Sequence, residues 1–274
     1  MRKEHIKFLL LALIPVIIFS CVKKVDDNLD RLEKFYREDP SVAQVKFVHA
    51  YTPLTLGGSP AQSTSTVGFR IVVGGDKING AGNTSTSTNT FLYGGTFPGT
   101  TAYTFLPVGS RTVKFVMNRI TNGAFAPVSG DEYLSTNLNF AGGKKYSVFI
   151  ADPYTSAYMV EDNYSVPGIN SFGIRFINLC GDPASRFDVT STRLSTKLFS
   201  DVGYKEMKDY VYLGVTGADT LYLKAAGTNT VIAQYPAAGS GSFTPGSQRV
   251  YTLYARGKTG VTGRTPSLSL YTNR

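Results

Sequence analysis

Residues 43–50 read AQVKFVHA, and residues 172–179 read FGIRFINL. Both stretches are rich in β-branched and aromatic residues, and their side-chain character alternates with a period of two, which is typical of a β-strand. In each, a basic residue directly precedes a Phe. Because this strand pattern occurs twice, it indicates that one β-domain is repeated along the chain.

The repeat extends outward from these strands in three further blocks that keep one order. The matching pairs are residues 68–72 with 186–189, 105–116 with 212–223, and 142–149 with 245–254. Clusters of Gly, Pro, Asn and Ser separate the blocks. No helical period follows residue 40, apart from a possible turn near Lys205-Glu206-Met207. About seven short strands per copy favour an immunoglobulin-like sandwich. The predicted fold is therefore all-β, with two tandem immunoglobulin-like β-sandwich domains.

The same alternation assigns faces to the first strand of each copy. Phe47 and Phe176 are predicted to point into a core, while the preceding Lys46 and Arg175 point outward to solvent. The chain's 274 residues are enough for two domains of ordinary size.

The repeat and the composition around it set the predicted boundaries. They are a signal peptide at 1–20, a tether at 21–40, β-sandwich domain 1 at 41–160, a polar linker at 161–168 and β-sandwich domain 2 at 169–274. Between Asp26 and Asp39 apolar side chains recur on one stripe, so the tether is predicted to form one short amphipathic helix ending at Pro40.

The first twenty residues have the proportions of a secretory signal. A basic start precedes an apolar segment of about a dozen residues, too short for a membrane span of roughly 20. The segment ends in Ile18-Phe19-Ser20-Cys21, which resembles a lipobox. Such a motif implies acylation, including palmitate, on Cys21 and anchoring in the cell envelope, as an outer-membrane lipoprotein on the periplasmic face or the cell surface. The alternative is an ordinary signal peptide with an incidental Cys.

Three motifs together carry a family resemblance. The opening strand AQVKFVHA, the segment PVGSRTVKF at 107–115 and the segment GGKKYSVF at 142–149 resemble the bacterial domain-of-unknown-function family numbered forty-three ninety-seven. The resemblance covers about residues 41–274 and implies tandem β-sandwich modules on envelope lipoproteins, without an established activity. Copy one departs from the family's Asp-rich turn at 52–55, whereas copy two keeps a trace of it at 181–184.

Catalytic patterns are weak in this sequence. His49 is the one His that follows the signal peptide, and it aligns with Asn178 in copy two, so we interpret it as a core or edge residue rather than a base. Cys180 has no partner if Cys21 is acylated, and it is interpreted as a half-buried small hydrophobe. One His and one free Cys do not make a zinc site, and Glu161-Asp162-Asn163 is too short for a calcium loop.

Paired carboxylates could run glycoside hydrolysis, but each candidate pair is expected to lie in a turn or linker, where Asp bonds the local backbone. The candidates are Asp131/Glu132, Glu161/Asp162 and Asp201/Glu206/Asp209. The chain also has no phosphate-loop or dinucleotide glycine pattern. No catalytic residue, cofactor or metal is therefore predicted, and the chain is not expected to be an enzyme.

The net charge and the amino-acid composition indicate which classes of partner the chain could bind. The net charge is +9, but apart from the doublets Lys23-Lys24 and Lys144-Lys145 the basic residues are scattered singly and form no stripe. Export also removes nucleic acid as a partner. The chain has 17 Tyr and 17 Phe but no Trp, which weakens a lectin interpretation. Asp219-Thr220-Leu221 resembles the O-glycosylation motif of Bacteroidetes-type exported proteins, which makes Thr220 a possible acceptor. The loops at 57–67 and 79–91 are either decoration or a recognition tip.

The predicted function is that of a non-catalytic cell-envelope lipoprotein. Its two β-sandwich modules would serve adhesion or assembly, with the membrane as one partner, through acyl chains on Cys21, and an unknown protein or glycan as the other. The alternative is a glycan-binding accessory lipoprotein of a polysaccharide-uptake system. Neighbouring transporter genes would favour the alternative.

Overall fold

The structure, a computed structural model, describes most of the chain beyond residue 38. The described residues are 39–52, 55–56, 59–60, 67–79, 91–99, 101–121, 124–127, 133–152, 156–182, 184–194, 196–215, 217–261 and 264–274. These residues contain strands and turns but no helix, so the predicted all-β class is confirmed. They include no helix with the length and apolar character that a membrane span requires. The predicted signal peptide, Cys21 and the tether helix lie outside them, except for the tether's last two residues.

Strands β1 to β13 belong to the first half of the chain. They are Val42–His49, Thr55–Leu56, Ser59–Pro60, Val67–Val73, Asp76–Lys77, Phe91–Leu92, Thr96–Phe97, Thr104–Pro107, Gly109–Thr121, Ala124–Pro127, Tyr133–Phe140, Lys145–Ile150 and Tyr158–Glu161. Strands β14 to β21 belong to the second half. They are Ser171–Asn178, Phe187–Ser191, Phe199–Val202, Met207–Gly214, Leu221–Ala225, Val231–Tyr235, Val250–Arg256 and Ser267–Thr272.

Two sheets face each other in the first half. Sheet I has the order β13-β12-β1, with β7 and β8 both on the far side of β1. Sheet II is centred on β4 and β9, with β10 and β11 beside β9 and with β5 and β6 beside β4. The core between them contains Phe47, which is fully buried and meets the ring of Phe115 edge-on at 5.8 Å. The first half is thus a β-sandwich.

The second half repeats this arrangement. Sheet III has the order β17-β14-β20-β21, and sheet IV has the order β16-β15-β18-β19. In both halves the opening strand runs parallel to a late strand, β1 with β12 and β14 with β20, and pairs on its other side with an antiparallel strand, β8 or β17. Phe176 is fully buried in the second core and stacks on Phe199 at 5.9 Å. The strand order therefore follows the sequence repeat.

A third buried cluster joins the two halves, and we call it the junction cluster. Its members come from sheet I and the segments beside it and from sheet III and the segments beside it: Val48, Ala50, Phe149, Ala151, Val160, Ile177, Leu179, Tyr254 and Tyr271. Sheets I and III thus pack through the faces that point away from their own cores. That residues 41–160 and 169–274 are two separate domains stays a prediction.

This packing overturns one expectation about the first strands. Phe47 and Phe176 point into the cores as predicted, but Lys46 and Arg175 are 0 % and 1 % exposed rather than solvated. The period-two alternation is right, and the error lies in taking the second face of each strand to be surface. That face of sheet I is covered by sheet III, so a residue that points away from one core points into the junction.

Candidate binding cleft at the junction of the two halves

The side chains with catalytic potential are placed inside the fold. His49 is 1 % exposed and meets the rings of Phe69 and Phe91 at 4.7 and 5.5 Å. Burial, with the positive charges of Arg264 and Arg256, holds the pKa of His49 well below its usual value. Cys180 is fully buried, and burial raises the pKa of its thiol to about 11.

Four of the candidate carboxylates that the structure describes, Glu161, Asp162, Asp201 and Glu206, meet cationic side chains. Asp131 and Glu132 lie outside the described residues. Glu161, at the end of β13, meets Lys144 at 2.7 Å on the surface. Asp201 and Asp209 lie in strands β16 and β17 rather than in turns, because the turns are shorter than the sequence suggests.

The other acidic contacts in this group are ordinary surface ion pairs. Arg186 Nε meets Asp201 at 2.5 Å, and Lys208 Nζ meets Glu206 at 2.5 Å. Exposed pairs of this kind contribute little to stability, because solvent screens their charges. Within the described residues, no three His, Cys, Asp or Glu side chains gather as metal ligands would.

Thr220 lies in the turn before β18 and is half-buried. Its backbone N–H donates to Asp219 Oδ1 at 2.7 Å and to Thr192 Oγ1 at 3.2 Å. Glycosylation of Thr220 stays a prediction, as does acylation of Cys21, which lies outside the described residues. The loops at 57–67 and 79–91 are also largely outside them.

At the centre of the junction is a buried ion pair between Arg175 and Asp162. Arg175 Nη2 donates to Asp162 Oδ1, and the two side chains are 1 % and 0 % exposed. Arg175 Nε donates to Thr252 Oγ1 at 2.9 Å, and Nη1 donates to the Glu161 carbonyl at 3.2 Å. Burial alone would lower the pKa of Arg175, but the adjacent Asp162 carboxylate raises it, so the guanidinium stays charged.

Hydroxyl groups satisfy the remaining lone pairs of Asp162. Ser147 Oγ donates to its two oxygens at 2.9 and 2.7 Å, and Tyr103 OH donates to Oδ2 at 2.7 Å. Tyr271 OH in turn donates to Ser147 Oγ at 2.7 Å. Because burial and the nearby Asp162 charge disfavour a phenolate, the pKa values of Tyr103 and Tyr271 are both raised. A buried charge pair with all its partners present avoids the large penalty of an unsatisfied one.

Lys46 occupies the position in copy one that Arg175 occupies in copy two, since each pairs in parallel with the matching strand at Ser147 or Thr252. Lys46 Nζ donates to the Thr272 carbonyl at 3.1 Å and lies 5.0 Å from the centre of the Tyr103 ring. Burial lowers the pKa of Lys46 to about 8, although the negative charge of Asp162 opposes that shift.

Two cationic side chains enclose a ring at another contact between the halves. Tyr93, from the first half, has the guanidinium groups of Arg256 and Arg264 at 4.4 and 3.9 Å from its ring centre. Tyr254 OH donates to the carbonyl of Gly94 at 2.9 Å. Gly94 has a φ of +77°, and a Cβ there would lie 2.7 Å from the Arg256 guanidinium carbon, so glycine suits this close approach.

A cleft of about 380 Å³ opens where sheets I and III separate. Its lining residues come from both halves: Gln44, Thr101, Tyr103, Phe105, Lys145, Arg249, Asn273 and Arg274. Gln44 of β1 pairs with Phe105 of β8 on one side and with Lys145 of β12 on the other, so strand register sets these three side chains in one row. Asn273 Nδ2 donates to Tyr103 OH at 3.0 Å, which links the cleft wall to the buried network.

The cleft combines positive charge with an aromatic edge. Among its described lining residues three are cationic, Lys145, Arg249 and Arg274, and none is acidic. Phe105 is 46 % exposed. A second depression of about 330 Å³ lies beyond Lys145 and is lined by Glu161 and Tyr164 among others. The first cleft can hold an anionic group next to an apolar ring face.

Sequence reasoning placed Asp162 in a polar linker and the basic residues of the first strands in solvent. One signal pointed otherwise. Val48 shares the face of β1 that carries Lys46, Ile177 shares the equivalent face of β14, and the apolar residues Ala50 and Leu179 follow directly after the two strands. A strand that is apolar on both faces is usually buried on both.

Residues 78–190 match the domain of unknown function DUF4397. The resemblance seen in the sequence motifs is thereby confirmed over this range, which runs from the end of β5 to β15. The DUF4397 match includes the motifs at 107–115 and 142–149 and crosses from the first half into the second. The opening strand at 43–50 precedes the match.

No curated protein matches the chain. Among solved structures, it is similar to a streptococcal virulence factor described as binding alpha-glucan, at 11 % identity and a TM-score of 0.23, covering 84 % of this chain and 97 % of that one. It is also similar to a Bacteroides fragilis protein whose name proposes a role in cell adhesion, at 10 % identity and a TM-score of 0.20, covering 85 % and 97 %.

A third similar structure is a leucine-rich repeat protein from Bacteroides thetaiotaomicron, at 14 % identity and a TM-score of 0.18, covering 77 % of this chain and 26 % of that one. With TM-scores of 0.23 or less, these three similarities assign no function to this chain.

Proposed function

We propose that this chain is a non-catalytic cell-envelope lipoprotein that presents two β-sandwich modules for adhesion or assembly. Acyl chains on Cys21 would hold it in the membrane, at the periplasmic face or the surface of the outer membrane. Its second partner would be a protein or a glycan and not a nucleic acid. The proposal involves no cofactor.

The observation that carries this proposal is the buried junction between the halves. An apolar cluster from both sandwiches and the Arg175–Asp162 pair leave little freedom for one sandwich to rotate against the other. Domains joined only by a flexible linker move relative to each other by default. Two modules in a fixed arrangement can present one composite binding surface, which suits adhesion or assembly.

The placement of His49 and Cys180 supports the non-catalytic part of the proposal. A general base must reach its substrate and a nucleophilic thiol must ionise. His49 lies among phenyl rings in the first core, and Cys180 lies in the second core with a raised pKa. Neither arrangement suits chemistry on an external substrate.

The cleft favours the alternative, a glycan-binding accessory lipoprotein of a polysaccharide-uptake system. Ligand sites occur preferentially at domain junctions and combine aromatic surface with a few polar groups. Phe105, Gln44 and the cationic residues of this cleft meet that description. Under this alternative, loss of the chain impairs growth on a polysaccharide rather than attachment.

The test compares cells that carry the native chain, cells that lack it and cells with Cys21→Ala. Labelling with a fatty-acid analogue and membrane fractionation report anchoring, and attachment to surfaces and to other cells reports adhesion. We expect the variant to lose the label and to attach as poorly as cells without the chain. Equal label in variant and native chain would refute the anchor, and attachment that does not depend on the chain would refute the adhesion role.

A further inference from the structure

The junction cleft carries a charge that the fold does not require. Arg249 lies just before β20 and is exposed, so its side chain is not part of either core. It shares the cleft with Lys145 and Arg274, and no acidic side chain is among the described lining residues. A concave site lined by one sign of charge concentrates ligands of the opposite sign.

The buried network fixes the wall of the cleft. Lys145 Nζ donates to Tyr164 OH at 3.1 Å and lies 5.4 Å from the centre of the Tyr103 ring. Tyr103 is itself held by Asp162 and Asn273. These contacts orient Lys145 and Tyr103 before any ligand arrives, which lowers the entropy lost on binding.

An aromatic side chain lies beside this charge. The ring of Phe105 is 46 % exposed although it is large and apolar. It lies two positions after Tyr103, which directly precedes β8, and both residues line the cleft. One face of a pyranose ring presents C–H bonds, and an exposed phenyl ring is a surface on which such a face can pack.

We propose that this cleft binds an acidic saccharide unit. The carboxylate or sulfate of the sugar would lie against Lys145 and Arg249, and its ring would pack on Phe105. Thr101, which is exposed at the cleft, would bond its hydroxyls. A cleft of about 380 Å³ is within the range of small-ligand sites. This inference rests on the glycan-binding alternative of the proposed function and specifies its ligand class.

The test measures binding of the full chain, in detergent, to three acidic probes: galacturonic acid trisaccharide, sialyllactose and a chondroitin sulfate disaccharide. Maltotriose is the neutral control, and a Glu-rich peptide is the non-saccharide anion. Calorimetry gives the affinities. We expect at least one acidic probe to bind about tenfold or more tightly than maltotriose, a difference of about 1.4 kcal/mol.

Variants locate the site. Arg249→Gln and Phe105→Ala should each weaken that binding by about tenfold, since one removes a charge-assisted contact and the other removes the ring. Lys114→Gln is the matched control, because it removes an exposed positive charge from sheet II, on the other side of the first core. It should leave the affinity unchanged.

Several outcomes would overturn the inference. They are the absence of binding to all three acidic probes, equal binding of maltotriose, tighter binding of the Glu-rich peptide, or equal losses in Arg249→Gln and Lys114→Gln. These results do not decide the adhesion proposal. If attachment of cells depends on the chain but the chain binds no acidic probe, the cleft inference is refuted and the adhesion proposal is not.

Discussion

Replacing Asp162 with Asn should destabilise the chain by about 3 kcal/mol, because it leaves the charge of Arg175 buried without its counterion. Losing one partner of a buried ion pair typically lowers the free energy of unfolding by about 3–5 kcal/mol. The lower end applies here, since Arg175 keeps its bonds to Thr252 and to the Glu161 carbonyl, at 2.9 and 3.2 Å. The amide has nearly the shape of the carboxylate, so packing changes little.

Urea unfolding of the full chain, followed by far-UV circular dichroism, measures this effect. With an unfolding slope of about 2–3 kcal/mol per molar, the midpoint should fall by about 1 M or more. The double variant Asp162→Asn/Arg175→Met removes both charges and should recover much of the loss, because an apolar side chain of similar length can replace a buried guanidinium.

The neighbouring exposed pair supplies the control. Lys144 and Glu161 meet at 2.7 Å but are 49 % and 38 % exposed, so Lys144→Gln should leave the urea midpoint nearly unchanged. If Asp162→Asn is as mild as Lys144→Gln, the junction is not a buried, ion-paired interface.

Three further predictions concern the junction, the cores and one turn. Because the pKa of Lys46 is about 8 in the folded chain and near 10.5 in the unfolded chain, the unfolded state binds more protons between these values, and stability should rise with pH across that window. Lys46→Met should remove this rise. If the free energies of unfolding of the wild type and of Lys46→Met change in parallel from pH 8 to 10.5, the prediction is wrong. Phe47→Ala and Phe176→Ala should each lower the free energy of unfolding by about 3–5 kcal/mol, since both rings are fully buried, and a loss below about 1 kcal/mol in urea melts would show that they are not core residues. Gly257→Ala should have a much lower melting temperature than Gly260→Ala. Both glycines have a positive φ, +103° at Gly257 and +78° at Gly260, so both substitutions strain the backbone. Only at Gly257 would the added Cβ also clash with backbone, since it would lie 2.4 Å from the Thr265 carbonyl oxygen. Equal melting temperatures of these two variants would count against the clash.

The repeat in the sequence predicted much of the fold. The alternation in AQVKFVHA and FGIRFINL placed Phe47 and Phe176 in two cores, and the order of the matched blocks agrees with the strand order of the two halves. Local alternation is sufficient for this because successive side chains of a strand point to opposite faces.

The candidate site was not predicted, because its residues are distant in sequence. Phe105 and Lys145 are brought into one row by pairing with Gln44, while Arg249 and Arg274 arrive from the other half of the chain. None of these residues belongs to a motif with fixed spacing. Only the packing of sheet I on sheet III places them around one cleft.

The sequence by itself determined the strand periodicity, the duplication and the inward face of each opening strand, since these depend on neighbouring residues. Tertiary structure decided what covers the other face. Lys46 and Arg175 occupy positions that would be solvated in an isolated sandwich, and they are buried here because a second sandwich lies against them. Asp162 is the counterion of Arg175. A charge moved out of water is stable only beside an opposite charge and enough hydrogen-bond partners, and here both halves of the chain supply those partners.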